Sequence, residues 1–144
     1  MHKLAIFFSL AACFAQSPAP AQRPASPAFQ AMVKDAKSHI KEINVEQLKE
    51  LKSSDSKFMF VDVREDEEWN AGHATGAVHI GRGVIDRDVE SKIPQKDEKI
   101  VLYCGGGSRS ALAADVLTKM GYTNVVSLAG GLGAYKSAGL PVEK

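Results

Sequence analysis

The chain has little cysteine. Cys13 and Cys104 are its two cysteines in 144 residues, which excludes a disulfide-stapled scaffold and a cysteine-rich zinc module. It also lacks an apolar run near the roughly 20 residues needed to cross a bilayer; the longest, Leu4 to Phe14, covers 11. No charge of one sign dominates: 18 Lys and Arg face 17 Asp and Glu, the net charge is +1, and no long single-sign run occurs. That balance gives no electrostatic footing for nucleic acid or an anionic membrane as a general partner. Internal repeats are absent. What remains, 44% hydrophobic and 24% charged residues, is the composition of one ordinary globular domain.

The N-terminus stands apart from that domain. Met1-His2-Lys3 is a short basic start to the apolar run, and Gln16 to Pro27 then carries four prolines with no apolar periodicity. This order is that of a secretory signal followed by a tether. The expected division is a signal over residues 1–15, a Pro/Ala-rich linker over 16–38 and a folded domain over 39–144. Two processing routes stay open. Cleavage after Ala15 is one; the other follows from Leu10-Ala11-Ala12-Cys13, which resembles a lipoprotein lipobox and would leave Cys13 acylated and the chain lipid-anchored. Both predict an extracytoplasmic domain, periplasmic or secreted. Either route leaves Cys104 without a disulfide partner within the mature chain, and a lone thiol in an oxidising compartment is a liability unless it is used.

Short apolar runs alternate with helical patterns along the domain. Ile40 to Ile43 reads as a first strand. Asn44 caps a following helix, with Gln47 as the reciprocal member of a capping box. Phe58 to Val63 is a buried-strand run, and Ala77 to Ile80 a shorter one. Ile85, Val89 and Ile93 share a helix face that ends at Pro94. Ile100 to Tyr103 is a strand, Ser108 to Met120 a helix stopped at Gly121, Val125 to Leu128 the last strand, and Leu132 to Ala138 a final helix. Strands separated by helices pair in parallel through right-handed crossovers. The predicted fold class is therefore α/β, a central five-stranded, mostly parallel sheet with helices on both faces.

Ligands of open α/β sheets bind at the carboxyl ends of strands, where Cys104 lies. Gly105, Gly106 and Gly107 follow, then Ser108, Arg109 and Ser110 at the start of a helix. Three glycines permit backbone angles that turn successive N–H groups inward as an anion nest. The helix aims its positive end into the same space, and Arg109 adds a forked cation. Each favours a thiolate over a thiol, which makes Cys104 the candidate nucleophile. Tyrosine-phosphatase-like loops run C-x5-R around a phosphoryl group. Here the spacing is C-x4-R, and a ring one residue shorter suits the outer sulfur of a persulfide better.

The loop Cys104-Gly105-Gly106-Gly107-Ser108-Arg109-Ser110 resembles the active-site loop of single-domain rhodanese-like sulfurtransferases. Asp62-Val63-Arg64-Glu65 through Glu68-Trp69-Asn70-Ala71-Gly72-His73 and Gly76-Ala77 is similar to that family's upstream signature. Gly130-Gly131 through Tyr135, Ala138-Gly139 and Pro141-Val142 resembles its C-terminal one. The motifs occur in the family's order and span residues 40 to 144. Ala74 and Tyr135 depart from it, where a branched apolar residue and Trp are usual; both are read as packing positions. The resemblance implies a rhodanese fold and a double displacement. Cys104 takes sulfane sulfur from a donor such as thiosulfate, the loop N–H groups hold the persulfide, and a thiol or cyanide accepts the sulfur. It calls for no metal or organic cofactor. A non-turnover carrier that delivers persulfide sulfur to a protein partner is the alternative; a phosphatase or arsenate-reductase-like enzyme is disfavoured by the loop length.

The remaining polar candidates have modest expected roles. Asp62 and Arg64, at a strand end and read as pointing to opposite faces, support the loop structurally. Glu65-Asp66-Glu67-Glu68 is read as an acidic helix start that answers the helix dipole. His73 and His79 are structural. Arg82, beyond the Ala77 to Ile80 strand, is a candidate anion-binding cation on the loop side of the sheet. Gly130-Gly131 serve a turn into the last helix.

Overall fold

A computed structural model of the chain describes residues 24–54 and 56–144. The expected signal, Cys13 and the front of the linker lie outside these residues. In chain order the elements are α1 (Pro27–His39), β1 (Lys41–Ile43), α2 (Val45–Ser53), β2 (Met59–Asp62), α3 (Asp66–Ala71), β3 (His73–Ala74), β4 (Val78–His79), α4 (Ile85–Lys92), β5 (Ile100–Tyr103), α5 (Ser108–Lys119), β6 (Val125–Leu128), α6 (Gly131–Ser137) and β7 (Val142–Glu143). The fold is the expected α/β one, with a five-stranded sheet in the order β1-β6-β5-β2-β4. Every pairing in that sheet is parallel.

Side chains alternate across the sheet as strand geometry requires. Val61, Ile100 and Leu102 face one core with Ile85 and Val89 of α4 and Ala113, Ala114 and Leu117 of α5. Phe60, Val101 and Tyr103 face the other, with Leu48 of α2 and Leu132 and Tyr135 of α6. The Asn44–Gln47 capping box is present, each side chain bonded at 2.9 Å to the other residue's N–H. Ala74 and Tyr135 are fully buried packing positions as expected, and the Tyr135 hydroxyl donates to the Pro141 carbonyl at 3.0 Å.

Two elements differ from expectation. Residues 27–38, assigned to the linker, form α1, which packs along α5. Ser26 caps it by accepting from the Phe29 N–H at 3.2 Å, and Pro27 sits at the first turn, where an amide hydrogen is dispensable. Phe29, Val33, Ala36 and Ile40 follow at helical spacing, and Ala36 is buried. The prolines end where this stripe begins, so a linker reading carried through them runs 12 residues too far. The second difference is a two-stranded antiparallel ribbon of β3 with β7. Its two-residue strands are too short to carry any periodicity.

Candidate active site

Cys104 stands at the carboxyl end of β5, the middle strand, and is 2% exposed. Gly105 to Gly107 turn the chain from β5 into α5, and Gly107 adopts φ 99°. The start of α6 fastens this turn from outside. The Leu132 N–H donates to the Cys104 carbonyl at 2.7 Å and the Gly133 N–H to the Gly105 carbonyl at 3.0 Å. Such close approach requires glycine at 131: a Cβ there would lie 2.3 Å from the Cys104 carbonyl oxygen and 2.9 Å from Gly105 backbone atoms.

With those carbonyls drawn outward, amides are left for the sulfur. The Gly107 N–H donates to Cys104 Sγ at 3.1 Å. Among the described residues, the N–H groups of Gly105, Gly106, Ser108, Arg109 and Ser110 have no backbone acceptor; the last three are the amides that the first turn of a helix always leaves over. Ser110 and Ser127 add hydroxyls beneath the loop. Ser110 Oγ lies 3.6 Å from Cys104 Sγ and 3.2 Å from the Gly107 carbonyl, and the Ser127 hydroxyl donates to Ser110 Oγ at 2.9 Å. Both serines are fully buried. Neither was singled out from sequence: Ser110 was visible as the residue after the loop arginine, while Ser127 sits inside an apolar strand with no local signal.

Arg109 does not reach inward as a free cation. Its guanidinium is clamped by both Glu68 carboxylate oxygens, at 2.5 and 2.8 Å, with Glu65 at 3.7 Å. The hydrogen bond to Arg109 holds the Glu68 carboxyl below the ordinary glutamate range and raises Arg109 in turn. Glu68 is thus more than an acidic residue answering a dipole: it ties α3 to the loop across 41 positions of sequence. Its Oε2 also accepts from the Glu65 N–H at 3.3 Å.

Asp62 and Arg64 share a face rather than pointing apart, as positions two apart on a strand do. The Arg64 Nε and Nη2 groups donate to the Asp62 carboxylate at 2.6–3.0 Å, and Nη2 donates to the Gly72 carbonyl at 2.8 Å. Both residues are buried. Tyr103 lies beside them, its hydroxyl accepting from the Ala74 N–H at 3.1 Å; burial, above all, lifts that phenol beyond the ordinary tyrosine range. This network braces the ends of β2 and β5 next to the loop. His73 and His79 stack on Trp69, with ring centroids 3.4 and 5.1 Å away, and His79 Nε2 lies 2.9 Å from the Arg64 carbonyl. Arg82 follows β4 at the same end of the sheet, and among the described residues its side chain makes no ion pair.

A family model described as the rhodanese-like domain matches residues 44–138. The chain belongs to that family. Among curated relatives, the rhodanese-like chain is 33% identical to a sulfurtransferase of Allochromatium vinosum, over 72% of this chain and 94% of that one. It is 34% identical to the thiosulfate sulfurtransferase PspE of Escherichia coli, over 51% of this chain and 69% of that one. A Bacillus subtilis protein named as a proposed sulfur carrier, YrkF, is 35% identical over 66% of this chain, which spans 50% of that protein's length. A solved Rhodopseudomonas palustris structure of unknown function, described as a possible tyrosine phosphatase, superposes with a TM-score of 0.73 at 33% identity, covering 85% of this chain and 99% of that one. The rhodanese-like domain of an Anabaena protein superposes with a TM-score of 0.57 at 32% identity, over 61% of this chain and all of that one. Family membership and the sulfurtransferase relatives support a transferase whose general chemistry is sulfur transfer.

Proposed function

We propose that this chain moves sulfane sulfur from a donor such as thiosulfate to a thiol or cyanide acceptor through a persulfide on Cys104. The observation that carries the reading is the Sγ at the end of the central strand, 3.1 Å from the Gly107 N–H within a turn whose other amides have no backbone acceptor. The Cys104 thiolate attacks the outer sulfur of thiosulfate, the donor S–S bond breaks, and sulfite leaves with the electron pair. The terminal sulfur of the persulfide then carries the charge, and loop N–H groups donate to it, as preorganised donors stabilise developing anions elsewhere. Cyanide attacks that sulfur, thiocyanate departs, and the Cys104 thiolate returns. Gly105, Gly106, Gly107 and Ser108 supply backbone to the loop, Arg109 holds it to α3, and Asp62 with Arg64 braces it. Arg82 is a cation for the incoming donor. Residues 1–15 direct the domain out of the cytoplasm, which cell fractionation, globomycin sensitivity and palmitate labelling test.

Two rival readings rest on named relatives. A carrier would hold the persulfide for a protein partner with little turnover on free thiosulfate, as the name of the Bacillus relative suggests. A phosphatase, in line with the description of the Rhodopseudomonas structure, needs its loop arginine on the phosphoryl oxygens, but Arg109 is committed to Glu68 and the loop is a residue short of C-x5-R. Purified protein from residue 24 onward, mixed with thiosulfate and cyanide, is expected to release thiocyanate, and Cys104→Ser to release none. A persulfide mass on Cys104 without turnover would select the carrier. Hydrolysis of an aryl phosphate by the wild type would overturn the reading.

A further inference from the structure

The cation of the reaction loop is committed before a donor arrives. Both Glu68 carboxylate oxygens bind the Arg109 guanidinium, at 2.5 and 2.8 Å, and Glu65 stands 3.7 Å from it. This pair sits at the mouth of the loop. A Cβ built on Gly105, the residue after the nucleophile, would lie 3.4 Å from Arg109 Nη2 and 3.9 Å from Glu68 Oε1. Gly105 to Gly107 bring no charge of their own, and Glu67 adds an exposed carboxylate on the same turn as Glu68. Arg82, after β4 at the same end of the sheet, supplies a cation without an ion pair among the described residues. Cys104 is 2% exposed, so the loop admits the transferable sulfur while the rest of the donor stays outside, beside Glu68. The hydrogen bond to Arg109 holds the Glu68 carboxyl below the ordinary glutamate range, which keeps it ionised at neutral pH.

We propose that Glu68 selects the sulfur donor by charge. It positions Arg109 away from the donor, and its own carboxylate disfavours doubly charged thiosulfate against an organic sulfane donor carrying one negative charge, such as a thiosulfonate. The proposal rests on the sulfur-transfer reading above and narrows its first half-reaction. The Cys104 thiolate attacks the outer sulfur of the thiosulfonate and forms a new S–S bond. The donor's own S–S bond breaks, and a sulfinate leaves with the electron pair. No oxidant or reductant is consumed.

The test follows sulfur loading alone. Full-length protein is mixed rapidly with thiosulfate or with benzenethiosulfonate, and the added sulfur on Cys104 is followed by mass to give a second-order rate constant for each. Glu68→Gln keeps an acceptor for Arg109 but removes the charge. Exposed charges contribute modestly, so this variant is expected to raise the thiosulfate-to-thiosulfonate ratio of rate constants about two- to fivefold. The gain is expected to shrink as salt rises, because such charges are screened. Glu67→Gln removes an equal charge that is not bonded to Arg109, and should move the ratio less. A loop merely loosened would load more slowly from both donors at an unchanged ratio, and that result overturns the proposal. So does an equal rise in Glu67→Gln, which would make the effect one of general surface charge. In either case the sulfur-transfer reading stands, because the wild type still loads. Failure of the wild type to take up sulfur from either donor overturns that reading and the role of Glu68 with it.

Discussion

Gly131→Ala asks how firmly α6 holds the reaction loop. The residue sits at φ 53°, and an added Cβ would stand 2.3 Å from the Cys104 carbonyl oxygen. A carbon and an oxygen need about 3.2 Å, so the α6 tip or the loop must retreat by roughly 0.9 Å. That retreat stretches the two bonds from Leu132 and Gly133, each worth about 0.5–1.5 kcal/mol. A left-handed alanine costs a further ~1–2 kcal/mol. The total is about 2–5 kcal/mol, a large share of a small domain's stability. Gly139 supplies the internal control: its φ is 72°, yet a Cβ there meets nothing within 4 Å. Gly139→Ala should therefore carry the backbone term alone, ~1–2 kcal/mol. Urea unfolding of both variants measures the difference, and thiocyanate release from thiosulfate and cyanide measures the loop. Gly131→Ala is expected to be the less stable by at least ~1 kcal/mol and to lose most activity under conditions where it remains folded. Equal stability of the two variants, with wild-type turnover in Gly131→Ala, would refute the fastening of the loop by α6.

Removing Asp62 leaves Arg64 charged and buried, so Asp62→Ala should cost about 3–5 kcal/mol in urea unfolding. Glu68 has its folded carboxyl held below the ordinary value by Arg109, so the pair's stabilisation is present above the unfolded value and is lost as pH falls through the folded one. Glu68→Gln should accordingly unfold about 0.5–1 kcal/mol more readily than wild type at pH 6–8, a modest figure for a partly exposed pair, with the gap closing on acidification below the ordinary glutamate range. Ser110→Ala removes the hydroxyl nearest Sγ and should slow sulfur loading from thiosulfate more than Ser127→Ala, which removes only the donor behind it; net losses of about 0.5–1.5 kcal/mol per hydrogen bond imply roughly two- to tenfold in rate. Stopped-flow loading followed by mass spectrometry checks the order.

Most of the framework was legible because it is written in local pattern. Ile100 to Tyr103 and Val125 to Leu128 are unbroken apolar runs, and the Asn44–Gln47 box has its spacing within four residues. Cys104 and its glycines could be placed because a strand, a turn and a helix follow one another without a gap. What stayed hidden is either long-range or masked by neighbours. The Arg109–Glu68 clamp joins α5 to α3, and nothing in an acidic run beginning a helix tells which carboxylate will reach across. The α1 helix begins on the last residue of a proline cluster, so the composition of the segment before it obscured its stripe of Phe29, Val33, Ala36 and Ile40. Asp62 and Arg64 were misplaced for a simpler reason: a spacing of two on a strand puts side chains together, and here they form the buried pair.

The bonds from Leu132 and Gly133 set an order of events during synthesis. Strand, nucleophile and glycine turn are all polymerised by residue 110, but the segment that clasps them is made more than twenty residues later. Until residues 131–133 leave the ribosome, the nascent thiol has no outer brace for its turn. The turn at Cys104 is thus completed only by residues that follow it in the chain.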